Sequence, residues 1–128
     1  MAQATRPAGF YRQNDGHHDT LVCDGVPLAA IAAAEGTPLY VYSAAVLRER
    51  YQAIDAAFGA YPHALHYALK ANSSLALVRL LRTLGSAADA NSIWEIELAL
   101  KAGYSPAAIV FTGVGKSRPS SSAPSVWG

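Results

Sequence analysis

One cysteine, Cys23, stands in 128 residues. No disulfide can close within the chain, and a reducing compartment is the expectation. Charge is scarce and nearly balanced, ten Lys and Arg against nine Asp and Glu, for a net +1. That excludes the broad basic face by which nucleic acid or an anionic membrane is bound. Met1 to Pro7 lacks the apolar core of a signal peptide. No apolar run approaches the ~20 residues of a membrane span. A cytoplasmic protein with neither nucleic-acid nor membrane partners is expected. The adjacent His17 and His18 fall in a polar loop beside Asn14-Asp15-Gly16 and read as plain surface, so no metal site is expected.

Against these absences, 52% of the residues are hydrophobic and 15% charged, which is the composition of folded, globular material. Residues 1 to 9 read as a loose arm, followed by two short strands near Phe10–Arg12 and Thr20–Cys23. Pro27 to Gly36 reads as a helix, with proline at its first position and glycine just past its end. Pro38 to Tyr42, rich in aromatic and β-branched residues, reads as a strand.

From Ser43 the pattern becomes regular. Ser43 caps a helix whose apolar stripe is Leu47, Tyr51, Ile54 and Phe58. Gly59 and Pro62 end it. Three strands are predicted near 64–70, 86–90 and 108–112, alternating with helices near 44–58, 74–84 and 93–102. Alternation of this kind predicts a parallel sheet. Ser92 and Glu95 have the spacing of a capping box, which by itself accounts for that glutamate. Gly113-Val114-Gly115-Lys116-Ser117 has the look of a phosphate loop, but Val110 stands where the first glycine of that motif belongs. It reads instead as a βα loop. Beyond Ser117 three serines and two prolines read as coil.

Lys70 closes the first of these strands, in the run Tyr67-Ala68-Leu69-Lys70-Ala71-Asn72. Catalytic groups collect at the C-terminal ends of barrel strands. A lysine there is expected to be partly desolvated, which favours the neutral amine that condenses with an aldehyde. Period two puts His66 and Ala68 on the same face, with His66 read as a hydrogen-bonded core residue. Asp89 ends the second strand and needs a partner or water, because an unpaired acid in apolar surroundings is costly.

Four stretches, in order, carry a resemblance to a known family. They are Gly36 to Ser43; Tyr67 to Ser74; Gly85 to Asp89 with Ser92 and Glu95; and Ile109 to Ser117. Together they resemble the alanine-racemase-like, fold-type III pyridoxal-phosphate decarboxylases, from about Phe10 to Ser117. Within that family they are most similar to the branch acting on meso-diaminopimelate. Ornithine and arginine decarboxylases usually carry cysteine in place of Ala71, and alanine racemases a different sequence after the lysine. The family often has Ser-Gly-Gly-Glu where this chain has Ser92-Ile93-Trp94-Glu95.

The resemblance implies an α/β fold: the first three βα steps of a parallel (β/α)8 barrel, preceded by short strands of a β-domain. Residues 1–42 would be arm and β-domain strands, 43–117 the partial, pyridoxal-phosphate-binding barrel, and 118–128 a non-native or disordered tail. It implies pyridoxal 5'-phosphate as cofactor, Lys70 as catalytic and cofactor-binding residue, and Asp89 as a second cofactor-binding residue. Asp89 would either hold the Lys70 ammonium or orient the cofactor ring. The implied reaction is decarboxylation of meso-diaminopimelate to lysine by a homodimer that takes a small amino-acid substrate. Because a whole barrel takes roughly 250 residues, the chain reads as an N-terminal piece. The alternatives are a catalytically inactive fragment, a pyridoxal-phosphate-binding module, or a related basic amino-acid decarboxylase.

Overall fold

A computed structural model describes residues 8–14, 16 and 19–113. The expectations for the N-terminal arm up to Pro7, His17, His18, Lys116, Ser117 and the 118–128 tail lie outside these residues. The chain divides into two compact units, 1–50 and 51–128.

In the first unit, β1 (Phe10–Asn14), β2 (Asp19–Cys23) and β3 (Val26–Pro27) form an antiparallel sheet in that order. Val22 and Cys23 are its buried residues. Burial, helped by the neighbouring Asp24 carboxylate, pushes the Cys23 thiol up. Helix α1 (Leu28–Glu35) follows directly. Pro27 is its N-cap rather than its first helical residue, being the last residue of β3. Gly36 ends the helix at φ +83°, where its N–H returns to the Ala32 carbonyl; only glycine takes that backbone readily.

The predicted strand at Pro38–Tyr42 does not form. These residues carry no strand pairing, and Tyr40 is 93% exposed. Aromatic and β-branched residues favour a strand only where a neighbour gives them a surface to pack on. Helix α2 (Ala44–Ala57) comes next. Its N-terminus is closed twice. Val46 N–H donates to Ser43 Oγ at 3.0 Å, and Ala45 N–H donates to Asp24 Oδ2 at 3.0 Å. The Ser43 hydroxyl in turn donates to Asp24 Oδ1 at 2.6 Å. Of the predicted apolar stripe, Leu47 and Tyr51 are half-buried, but Ile54 and Phe58 are exposed. Helical spacing selects a face; whether it is buried depends on a second layer.

The second unit is built on β4 (His66–Ala68), α3 (Leu75–Thr83), β5 (Ala87–Ala90), α4 (Ile93–Ala102) and β6 (Ile109–Phe111). The strands are parallel in the order β4-β5-β6, with Tyr67, Ala88 and Ile109 in one row and Ala68, Asp89 and Val110 in the next. This is the predicted βαβαβ arrangement. One sheet face is closed by helices: Val78, Ile96, Ala99 and Ala102 pack with Ala88, Ala90 and Ile109. The alanines at 88, 90, 99 and 102 let helix and sheet approach closely. Two arginines of α3 meet the end of α4, where Arg82 Nε donates to Gly103 O at 2.6 Å and Arg79 to Lys101 O at 3.5 Å. Cations there answer the unsatisfied carbonyls and the negative end of the helix dipole. Among the described residues no helix is long and apolar enough to cross a membrane.

Candidate functional site

The row Ala68–Asp89–Val110 points away from the helices, because the rows on either side of it supply the core. This open face, followed to the C-terminal strand ends, carries the polar residues of interest. Topology alone brings them to one edge: Lys70 comes two residues after β4, Asp89 is the next-to-last residue of β5, Asn91 follows that strand, and Thr112 follows β6.

Lys70 does not continue the strand. β4 stops at Ala68, and Leu69–Ala71 forms one 3-10 turn. The turn is fixed from three sides. Leu69 is fully buried in the core. Tyr67 Oη donates to the Asn72 carbonyl at 3.1 Å, and Ser74 N–H donates to Asn72 Oδ1 at 2.9 Å. Between these anchors Lys70 is exposed. Lys70 is thus exposed where partial burial was expected, because β4 stops before it and the turn carries it beyond the strand. His66, read as a core histidine, is exposed as well.

Asp89 is half-buried and partnered. Thr112 Oγ1 donates to Asp89 Oδ1 at 2.6 Å and also lies 2.5 Å from Asn91 Oδ1. Thr112 N–H donates to the Ala90 carbonyl at 2.9 Å, which extends the β5–β6 pairing past the strand. Among the described residues no ion pair joins Asp89 to Lys70, so the threonine, not the ammonium, orients this carboxylate. Sequence reasoning overlooked Asn91 and gave Thr112 no task beyond closing a strand. The one available signal was a hydroxyl residue at the end of the strand next to the one bearing the acid.

Ser92 caps α4 as its spacing predicted, accepting from Glu95 N–H at 3.3 Å. The Glu95 carboxylate reaches one residue further back than a standard box, taking the Asn91 N–H at 2.6 Å. Glu95, Asn91, Thr112 and Asp89 thus form one hydrogen-bonded string across the strand ends. Gly113 closes it: a Cβ there would stand 2.5 Å from the Asn91 carbonyl oxygen. Of the two bulky residues after Ser92, Ile93 packs on the core and Trp94 is 76% exposed.

A parallel βα layer with a lysine past one strand end and an oriented carboxylate near the end of the next strand defines the class: an α/β enzyme domain of the barrel or doubly wound kind. Residues 44–121 match the pyridoxal-binding domain of the pyridoxal-dependent decarboxylases, and the chain belongs to that family. It is 48% identical over 107 residues to the diaminopimelate decarboxylase of Vibrio cholerae, covering 84% of this chain and 25% of that protein. The solved diaminopimelate decarboxylase of M. jannaschii superposes with a TM-score of 0.76 at 31% identity, covering 88% of this chain and 26% of that one. That of Helicobacter pylori, complexed with L-lysine, gives 0.65 at 42% identity, over 70% of this chain and 23% of that one. The chain thus spans about a quarter of the length of these relatives.

The site's own chemistry fits the aldehyde end of a pyridoxal cofactor. Lys70 offers an exposed amine on a turn held at both ends, and Asp89 offers a carboxylate with one oxygen already fixed.

Proposed function

We propose that this chain is the part of a diaminopimelate decarboxylase that receives pyridoxal 5'-phosphate, with Lys70 as the amine that binds its aldehyde. The observation that carries the reading is the Lys70 turn. It leaves the core at Leu69, is fastened by Tyr67 and Asn72, and presents one amine past the end of a parallel strand. Residues 43–117 are the cofactor-binding part and residues 1–42 belong with a β-domain.

Pyridoxal phosphate, when bound, supplies the electron sink that makes loss of carbon dioxide from an amino acid feasible. This chain's residues hold and orient. Lys70 is the residue that would hold the cofactor, through its side-chain amine. Asp89, aimed by Thr112, presents a negative charge to the same rim. Glu95 and Asn91 keep the β5–α4 corner in register beneath it. The substrate is meso-diaminopimelate and the product lysine, the amino acid bound in the Helicobacter relative. The working enzyme is a cytoplasmic homodimer.

The test is carbon dioxide release by the full-length protein from meso-diaminopimelate, ornithine, arginine and lysine in parallel. Turnover of diaminopimelate at least tenfold above the others is the expected result. A preference for ornithine or arginine would transfer the chain to a neighbouring branch, and no release from any of the four would leave only a binding module.

A further inference from the structure

Outside the rim, the corner between α2 and β4 holds one histidine in an unusual set of contacts. His63 Nδ1 lies 2.8 Å from the Tyr61 carbonyl oxygen, and Nε2 lies 2.9 Å from Asp55 Oδ1. The ring stacks on Phe58, with centroids 4.3 Å apart and planes 15° from parallel. A carbonyl and a carboxylate are both acceptors. A neutral imidazole has one N–H and satisfies only one of them, whereas an imidazolium has two and satisfies both. The stacked aromatic face also favours a cation.

We propose that His63 is a proton-operated clasp on the α2–β4 connection, closed as the imidazolium and released on one side when it becomes neutral. The clasp joins the last full turn of α2 to the segment entering β4, the strand that delivers Lys70. Besides the clasp, that segment is held by a turn, Phe58 N–H to Asp55 O, Gly59 N–H to Ala56 O and Tyr61 N–H to Phe58 O at 3.0–3.2 Å, and at Leu65, whose carbonyl accepts from Ala87 N–H at 2.8 Å. The His63 side chain is 18% exposed and its Asp55 partner 54%, so the ring is mostly covered while the contact itself lies at the surface. Among the described residues Asp55 is the charged group acting on the ring, and Tyr61 contributes its carbonyl. One turn back, the Tyr51 phenol is pushed up by burial and by the same Asp55 carboxylate, so it stays neutral throughout the histidine range. The Tyr61 carbonyl and the Asp55 carboxylate both hold the His63 pKa above that of a free imidazole, and outweigh its partial burial.

The sign follows. A histidine raised in the folded state contributes stability that is fully present below its unfolded pKa, about 6.5. That contribution is lost as pH rises through the higher folded value. Proton NMR of the His63 ring and amide exchange over residues 58–66 test this on the full chain, from about pH 5 to 9. The expected results are a His63 midpoint above the ordinary value and a return toward it in Asp55→Asn. Exchange at 58–66, corrected for its intrinsic pH dependence, should quicken above the midpoint in the wild type and not in His63→Gln. A His63 midpoint at or below the ordinary value, or one that Asp55→Asn leaves unmoved, overturns the proposal. So does the same exchange profile in His63→Gln as in the wild type.

Discussion

Leu69→Ala tests how the lysine turn is held. Leu69 has no exposed surface and packs in the cluster formed by Val78, Ala88, Ala90, Ile96 and Ile109. Truncation to alanine removes three carbons. At about 0.8 kcal/mol per methylene-sized group, the lost transfer energy is about 2.4 kcal/mol. The cavity left between Ala88, Ala90 and Ile109 of the sheet and Val78 and Ile96 of the helices adds to this. The total should approach 3–4 kcal/mol, within the range of about 2–5 kcal/mol for leucine-to-alanine changes in cores. Ile54→Ala is the control: Ile54 is 54% exposed on α2, and its loss should stay within about 0.5 kcal/mol. Urea unfolding followed by far-ultraviolet circular dichroism measures both, on the full chain at a fixed pH. Equal losses for the two variants, or a Leu69→Ala loss under about 1 kcal/mol, would mean that Leu69 does not anchor the turn.

Two further predictions concern caps. Ser92→Ala removes the acceptor of Glu95 N–H and should cost about 1 kcal/mol by the same unfolding measurement; an unchanged midpoint would refute the cap. Asp24 is held below the usual carboxylate range, first by the Ser43 hydroxyl and then by the Ala45 N–H. A depressed carboxyl contributes stability above its unfolded pKa, about 3.9, and loses it as pH falls through the lower folded value. Asp24→Asn is the matching variant, because asparagine also tolerates the φ of +50° found there. It should flatten the acid limb of a stability-against-pH curve, and an acid limb identical to the wild type would count against the assignment.

Sequence reading succeeded where local signals and packing agreed. Helix α4 begins and ends where Ser92 and Gly103 said it would, because the cap residues carry their own hydrogen bonds. The parallel sheet followed from the regular alternation of apolar runs with helical stripes. It failed where a pattern needed a neighbour. The aromatic segment at 38–42 has strand propensity but pairs with no strand among the described residues, and Ile54 and Phe58 keep helical spacing yet are exposed. At the site, Lys70 and Asp89 were visible as polar residues closing apolar strands. The hydroxyl of Thr112 and the carbonyl of Asn72 were not, since they act through contacts that only the folded strand ends create. The 3-10 turn at Leu69 was hidden too, because a buried leucine looks the same in a strand and in a turn.

The central claim is that Lys70 is the cofactor-binding amine. Borohydride reduction of the full-length protein in the presence of pyridoxal phosphate, followed by peptide mapping, tests it most directly. The account predicts label on the peptide containing Lys70 and its disappearance in Lys70→Ala. Label on Lys101 or Lys116, with Lys70 unmodified, would contradict it.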